Sequence, residues 1–206
     1  MSDTNARAHT GSRRNEAARA AILAAAAELL AEHGSSGVTV DRIAAHAGVG
    51  RQTIYRWWPS KDAVLLDALV HSAEAAVPVP DTGSLRADLE IFLRETFLAA
   101  GIERNRQALI AAVVAARDDP GLAGSLDDFL IRRRAALSEV LRRSHSRGEL
   151  GSDSGIELAV EQAFGVLWYR ILFRPAALAP ADAAELAAAL TAQLHGTSTG
   201  QRTATP

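Results

Sequence analysis

Thr39-Val-Asp-Arg-Ile-Ala-Ala-His-Ala-Gly-Val-Gly-Arg-Gln-Thr-Ile-Tyr-Arg-Trp-Trp-Pro-Ser-Lys61 is the stretch whose reading decides the fold. Thr39 is a good N-cap, because its side-chain oxygen can accept a backbone N–H of the first turn. A short helix over 40–47 follows, and Gly48 ends it, since glycine enters the left-handed region without penalty and turns the chain sharply. A second short helix runs from about Arg51 to Trp57. Pro59 cannot continue it, having no N–H and a ring that clashes with the preceding turn. Ser60 then caps a longer helix to about Ala76. Val40, Ile43, Ala44 and Ala47 form the inward face of the first short helix, and Val49 fills the space beneath the turn.

Working outward, residues 13–33 carry Ile22, Ala26, Leu29 and Leu30 on one face, and Gly34 supplies a stop. Two short helices joined by a glycine turn, behind a longer amphipathic helix, are the outline of a helix-turn-helix. The N-terminus of the second short helix is the end that enters a major groove in such motifs. Here it presents Arg51, Gln52 and Thr53. Arg51 can donate two hydrogen bonds to guanine, Gln52 can pair with adenine, and the Thr53 methyl can meet a thymine methyl. Tyr55, Arg56, Trp57 and Lys61 follow, with donors suited to phosphates. Lys61 is the single lysine beside 21 arginines, placed where a helix begins.

Charge distribution agrees with this reading. The net charge of −2 does not suggest a nucleic-acid binder. Residues 1–61, however, hold eight Lys/Arg against five Asp/Glu, and the remainder fourteen against nineteen. A basic head on an acidic body suits local contact with a polyanion. The chain contains no cysteine, which excludes disulfides, thiolate zinc sites and a cysteine nucleophile. No secretory h-region follows Met1, and the longest apolar runs, such as 20–27 and 163–169, are too short to span a bilayer. A cytoplasmic protein is expected.

The rest of the chain is helical wherever it shows a pattern. Ser84 caps a helix to about Ala100, and further helices are expected over roughly 103–117, 122–147, 154–173 and 181–194. Breaks fall at 77–83, 118–121, 148–154 and 175–180. Residues 1–12 and 196–206 are polar and rich in small residues, and read as disordered tails. The expected domains are a helix-turn-helix over 13–60 and a helical body over 61–195.

The 39–61 stretch resembles the signature of the TetR family of bacterial regulators. Several features agree together: the Ile-Ala pair, Ala-Gly-Val at the turn, Thr-Ile-Tyr, an aromatic pair, and Pro-Ser-Lys. The resemblance covers about residues 13–70, with a weaker likeness at Trp168-Tyr-Arg-Ile-Leu172. It implies an all-α fold of about nine helices, a three-helix DNA-binding domain followed by a ligand-binding and dimerisation bundle. It implies a regulator, most often a repressor, that binds a palindromic double-stranded operator as a homodimer and is released by a small-molecule effector. By position, Thr39, Tyr55 and Lys61 match phosphate contacts, and Arg51, Gln52 and Thr53 match base-reading positions. Trp58 matches the buried aromatic. Trp57 stands where the family often has histidine, and Gly50 where it often has a capping residue.

An effector pocket is implied by the resemblance alone, with Phe92, Phe97, Leu109, Val113, Phe129 and Phe164 as apolar candidates and Arg104 and Arg170 as charged ones. For the dimer, the residues themselves speak. Helix 154–173 carries one apolar stripe of Ile156, Ala159, Val160, Ala163, Leu167 and Ile171, and another of Phe164, Trp168 and Leu172. One stripe can pack inside the subunit, and the other needs a partner helix or complete burial in a monomer. The alanine-rich helix 181–194, with Leu186 and Leu190, offers a close-packing neighbour. The interface expected is Ile156, Val160, Ala163, Leu167, Trp168, Ile171, Leu186 and Leu190.

Two rival classes remain open here. A helical-bundle enzyme would need Glu-x-x-His or His-Glu-x-x-His, and neither occurs. Gly151-Ser-Asp-Ser-Gly155 has Asp153 where a nucleophile elbow needs serine. An interaction module without DNA binding leaves the clustering of Arg51, Gln52, Tyr55 and Lys61 at the turn unexplained. No catalytic residue, metal or cofactor is expected.

Overall fold

Local capping chemistry sets most of the helix ends in the computed structural model, which describes residues 4–76, 79–153, 155–174 and 178–200. Thr39 Oγ1 accepts from Arg42 N at 3.2 Å and opens α2 (Val40–Ala47). Gly48 closes it in the left-handed region at φ 66°, its N–H returning to Ala44 and Ala45 carbonyls. Helix α3 (Arg51–Tyr55) is shorter than the 51–57 expected. Trp57 and Trp58 N–H both turn back to Ile54 O, which tightens the chain as it approaches Pro59.

The described residues contain nine α-helices and a 3-10 turn, Ser35–Gly37, and no strand. The remaining helices are α1 (Thr4–His33), α4 (Lys61–Ala76), α5 (Leu85–Gly101), α6 (Glu103–Ala115), α7 (Pro120–Ser146), α8 (Ile156–Phe173) and α9 (Pro180–Gly200). None of them is long and apolar enough to cross a membrane. The all-α expectation therefore holds.

Several boundaries differ from expectation. The helix expected from residue 13 begins at Thr4. At the other end α9 continues to Gly200, because Gly196 does not adopt the positive φ that would stop it. Residues 1–3 and 201–206 of the expected tails lie outside the described residues, as do 77–78 and 175–177 in two expected breaks and 154 at the expected start of α8. Helix α7 begins two residues early, at Pro120: Asp119 Oδ1 accepts from Gly121 N at 3.0 Å and Leu122 N at 3.1 Å. Asp-Pro is an N-cap followed by a residue pre-set for the first helical position.

The chain forms two compact units, Met1–Ser72 with Gln107–Leu126, and Ala73–Arg106 with Asp127–Pro206. The expected cut between residues 60 and 61 thus falls inside the first unit. Residues 61–72 of α4 stay with the N-terminal helices because Ala63, Val64, Leu65, Leu66, Ala68 and Val70 are buried. The core of this unit also holds Ile22, Leu29 and Leu30 of α1, Ile43 of α2 and Ile54 of α3.

In the second unit α5, α8 and α9 pack on one another. Phe92, Phe97, Val160, Ala163, Ala187 and Leu190 lie in its core. Asp88 is buried there and held from three sides. Thr82 donates to its Oδ1 through N and Oγ1, both at 2.7 Å, and Arg147 Nη2 lies 3.2 Å from its Oδ2. Hydrogen bonding to Glu149 raises the Arg147 pKa above the ordinary arginine value, with Asp88 adding in the same direction and desolvation opposing. Glu149 also accepts from Leu85 N at 2.6 Å, capping α5 from 64 residues away.

Candidate nucleic-acid interface

The recognition helix is fixed by its hidden side. Ile54 is fully buried and Trp58 is 4% exposed. With those two anchored, Arg51, Gln52, Tyr55 and Arg56 project outward and are exposed, and Thr53 and Trp57 are half-buried. Burying one isoleucine of this kind is worth roughly 1.5–3 kcal/mol, enough to hold a helix of five residues that would not form alone. Gly50 opens α3 with no side-chain cap, as expected from its identity.

Trp58 is secured at its polar edge as well. Its Nε1 donates to Asp67 Oδ2 on α4 at 3.0 Å, and Arg19 Nη2 of α1 donates to the same oxygen at 2.5 Å. The Arg19 guanidinium also lies 5.7 Å from the Trp58 ring centroid. One carboxylate thereby joins α1, the turn after α3 and α4. Trp57 meets Trp58 edge-to-face at 5.6 Å and carries Arg56 4.6 Å above its own ring. Arg56 further donates to Asn15 Oδ1 at 3.1 Å. Trp57 is thus a platform that aims Arg56.

The phosphate candidates differ in how free they are. Tyr55 is exposed. Thr39 uses its oxygen as a cap acceptor, which leaves the hydroxyl proton to donate elsewhere. Lys61 is half-buried; its Nζ donates to Ser35 O at 3.0 Å and lies 3.7 Å from Asp62. An ammonium has three donors, so this tie leaves capacity for an anion. Arg42 spans back to Gly37 O at 2.6 Å and His33 Nε2 at 2.8 Å, bracing the 3-10 turn. Asp41, Asp67 and Asn15, which position this face, carried no signal in the sequence, because their partners are distant or on another helix.

In the body, six of the eight expected dimer residues are buried within the chain's own fold: Ile156, Val160, Ala163, Leu167 and Ile171 of α8 and Leu190 of α9. They face inward because that stripe packs with α5 and α9. Trp168 and Leu186 are half-buried. The outward apolar face of α8 is instead Leu158, Gly165, Tyr169, Leu172 and Phe173, with Phe173 70% exposed and stacked near Tyr169 at 5.7 Å. An open groove of about 410 Å³ runs along it, lined by Gly165, Val166, Tyr169, Arg170, Arg174 and Asp182.

The six pocket candidates are not assembled in one unit. Leu109 and Val113 belong to the first, and Phe92, Phe97, Phe129 and Phe164 to the second. Phe92 and Phe97 are core rings flanked by arginines, Arg133 at 4.9 Å and Arg170 at 5.4 Å. Arg104 is exposed.

A braced short helix with an exposed polar face, in an all-helical chain, is the architecture of a helix-turn-helix transcriptional regulator. Residues 22–68 match the family described as bacterial regulatory proteins, tetR family, and residues 79–190 match the tetracyclin repressor-like C-terminal domain. YdeS, an HTH-type transcriptional regulator of Bacillus subtilis, is 35% identical over 171 residues, 79% of this chain and 82% of its own. The DNA-binding transcriptional repressor TetR of Mycobacteroides abscessus is 32% identical over 170 residues, 77% of this chain and 84% of its own. The crystal structure of the TetR family transcription regulator SCO0332 superposes with a TM-score of 0.76 at 33% identity, covering 85% of this chain and 97% of that one. The chain belongs to the TetR family of transcriptional regulators, which are not enzymes.

Proposed function

We propose that this regulator is a repressor that binds a palindromic operator as a homodimer and leaves it when a small-molecule effector binds. The observation that carries the reading is the exposed row Arg51, Gln52, Tyr55 and Arg56 on a helix pinned behind by Ile54 and Trp58. Arg51, Gln52 and Thr53 read base edges, and Thr39, Tyr55, Arg56, Trp57 and Lys61 hold phosphates. The repressor of M. abscessus, similar over most of both chains, supports the sign of regulation.

The outward face of α8, around Tyr169, Leu172 and Phe173, is the surface we assign to the dimer. A two-fold dimer places its recognition helices on half-sites about 34–36 Å apart. An effector that binds better to a different separation shifts the population away from DNA. The body is where such a ligand binds.

The test is titration of the protein against duplex from its own upstream region at rising salt. Specific binding with a steep negative log–log slope is expected. Arg51→Ala or Gln52→Ala should each erase preference for the site, by roughly 5- to 150-fold, while weak nonspecific binding persists. If parent and variants bind every duplex alike, base reading by α3 is wrong.

A further inference from the structure

Arg51 does not stand alone on the exposed face. Its Nε lies 3.1 Å from Asp41 Oδ1, in the first turn of α2. Both side chains are exposed, and this ion pair is the one polar side-chain contact of the Arg51 guanidinium among the described residues. A guanidinium offers five N–H donors in a rigid fork. With Asp41 lying beside Nε, the end-on pair Nη1 and Nη2 is left for two acceptors side by side, which is what guanine O6 and N7 present in the major groove.

We propose that Asp41 is a specificity-determining residue: it aims Arg51 at guanine and withholds it from the phosphates. The inference rests on base reading by Arg51 as proposed above. An unrestrained arginine at the head of an exposed helix binds any nearby phosphate, a contact that carries no sequence information. Asp41 changes the balance in two ways. A guanine contact keeps the Asp41–Nε pair and adds the free Nη pair to it. A phosphate contact must either draw the guanidinium off Asp41 or bring an acceptor-only carboxylate toward another anion. Arg51 therefore contributes fully only where guanine is present.

Asp41 also lies in the first turn of α2, where a negative charge favours the helix. That role would alter melting and leave base preference untouched, so the two are separable. The experiment uses the full chain and an operator obtained by selection from randomised duplex, with each position substituted in turn. Arg51→Ala identifies the guanine that Arg51 reads, as the position whose substitution weakens the parent and not the variant. At that position Asp41→Asn and Asp41→Ala should lower the parent's preference at least about threefold, within a contact worth roughly 5- to 150-fold. Their affinity for unrelated duplex should rise, with the salt slope steeper by about one as Arg51 joins the phosphates. In the Arg51→Ala background, Asp41→Asn should leave that slope unchanged.

Parental preference and slope in both Asp41 variants, with preference lost in Arg51→Ala, would overturn the role of Asp41 and leave base reading by Arg51 standing. A slope that steepens equally without Arg51 would overturn it too, showing bare repulsion of DNA. Preference retained by Arg51→Ala at every position would remove base reading by Arg51 and the inference with it.

Discussion

Asp67 is where the recognition helix is most open to a decisive perturbation. Its Oδ2 takes the Trp58 indole N–H at 3.0 Å and an Arg19 N–H at 2.5 Å. The two contacts differ in worth. The indole belongs to a ring only 4% exposed, and a buried donor left without an acceptor costs about 1–3 kcal/mol. Arg19 is half exposed, so its ion pair is screened and contributes about 0–1 kcal/mol. Asp67→Ala loses both, roughly 2–3 kcal/mol. Asp67→Asn keeps a carbonyl acceptor for the indole and loses at most about 1 kcal/mol. For a chain of 206 residues each kcal/mol moves Tm by about 2–4 °C. Thermal melting followed by circular dichroism should show a drop of roughly 4–12 °C for alanine and no more than about 4 °C for asparagine. A Trp58→Phe background removes the donor, so there Asp67→Ala should cost only the ion-pair part. An alanine cost equal in both backgrounds would refute the indole–carboxylate bond as the source. Site-specific DNA binding should weaken in the same order, alanine more than asparagine, because the turn after α3 is what loosens.

On α8, Phe173→Asp should leave the fold intact and halve the sedimentation mass, since the ring is already exposed; a folded dimer would reject the outer face as the interface. Ile171→Asp, two residues away and buried, should instead unfold the body, seen as loss of cooperative melting. Asp88→Ala strips the acceptor from Thr82 N and Oγ1 and should cost about 1–3 kcal/mol in denaturant unfolding without changing base preference; an unchanged midpoint would contradict the burial given to that carboxylate.

How much of this was legible in the sequence depended on the range of the physics involved. Thr39, Gly48, Pro59 and Ser84 act on backbone within a few residues, so their caps and stops could be read from order alone. Asp119-Pro120 belongs to the same class, an N-cap and first helical position, although a break was expected there and the helix only from 122. Ile43 was placed inside by spacing and Trp58 by family likeness, and both are buried. What escaped were side-chain bonds that only the fold brings together: Asp67 with Arg19 across 48 residues, Lys61 with Ser35 across 26, and Leu85 with Glu149 across 64. Nothing in a sequence of polar residues at helix-surface spacing marks one carboxylate as paired and its neighbour as solvated.

Helix α8 was hard to read for a different reason. A helix apolar on most sides carries little directional contrast, so periodicity could list its stripes without ranking them. The longer, more regular stripe drew the interface reading, whereas regularity is what packing against two helices of the same subunit demands. Ile156, Val160, Leu167 and Ile171 are branched aliphatic side chains with the small Ala159 and Ala163 among them, as in an internal seam, and all are buried. The outer residues are bulkier and more aromatic: Tyr169, Leu172 and Phe173, crowded into the last turns. Exposed aromatic side chains beside a small residue such as Gly165 are what a partner surface offers, since aromatics carry much of the energy of association. Composition, not period, therefore separates the two faces of this helix. The contrast between Phe173→Asp and Ile171→Asp puts that distinction to the test within one turn of one helix.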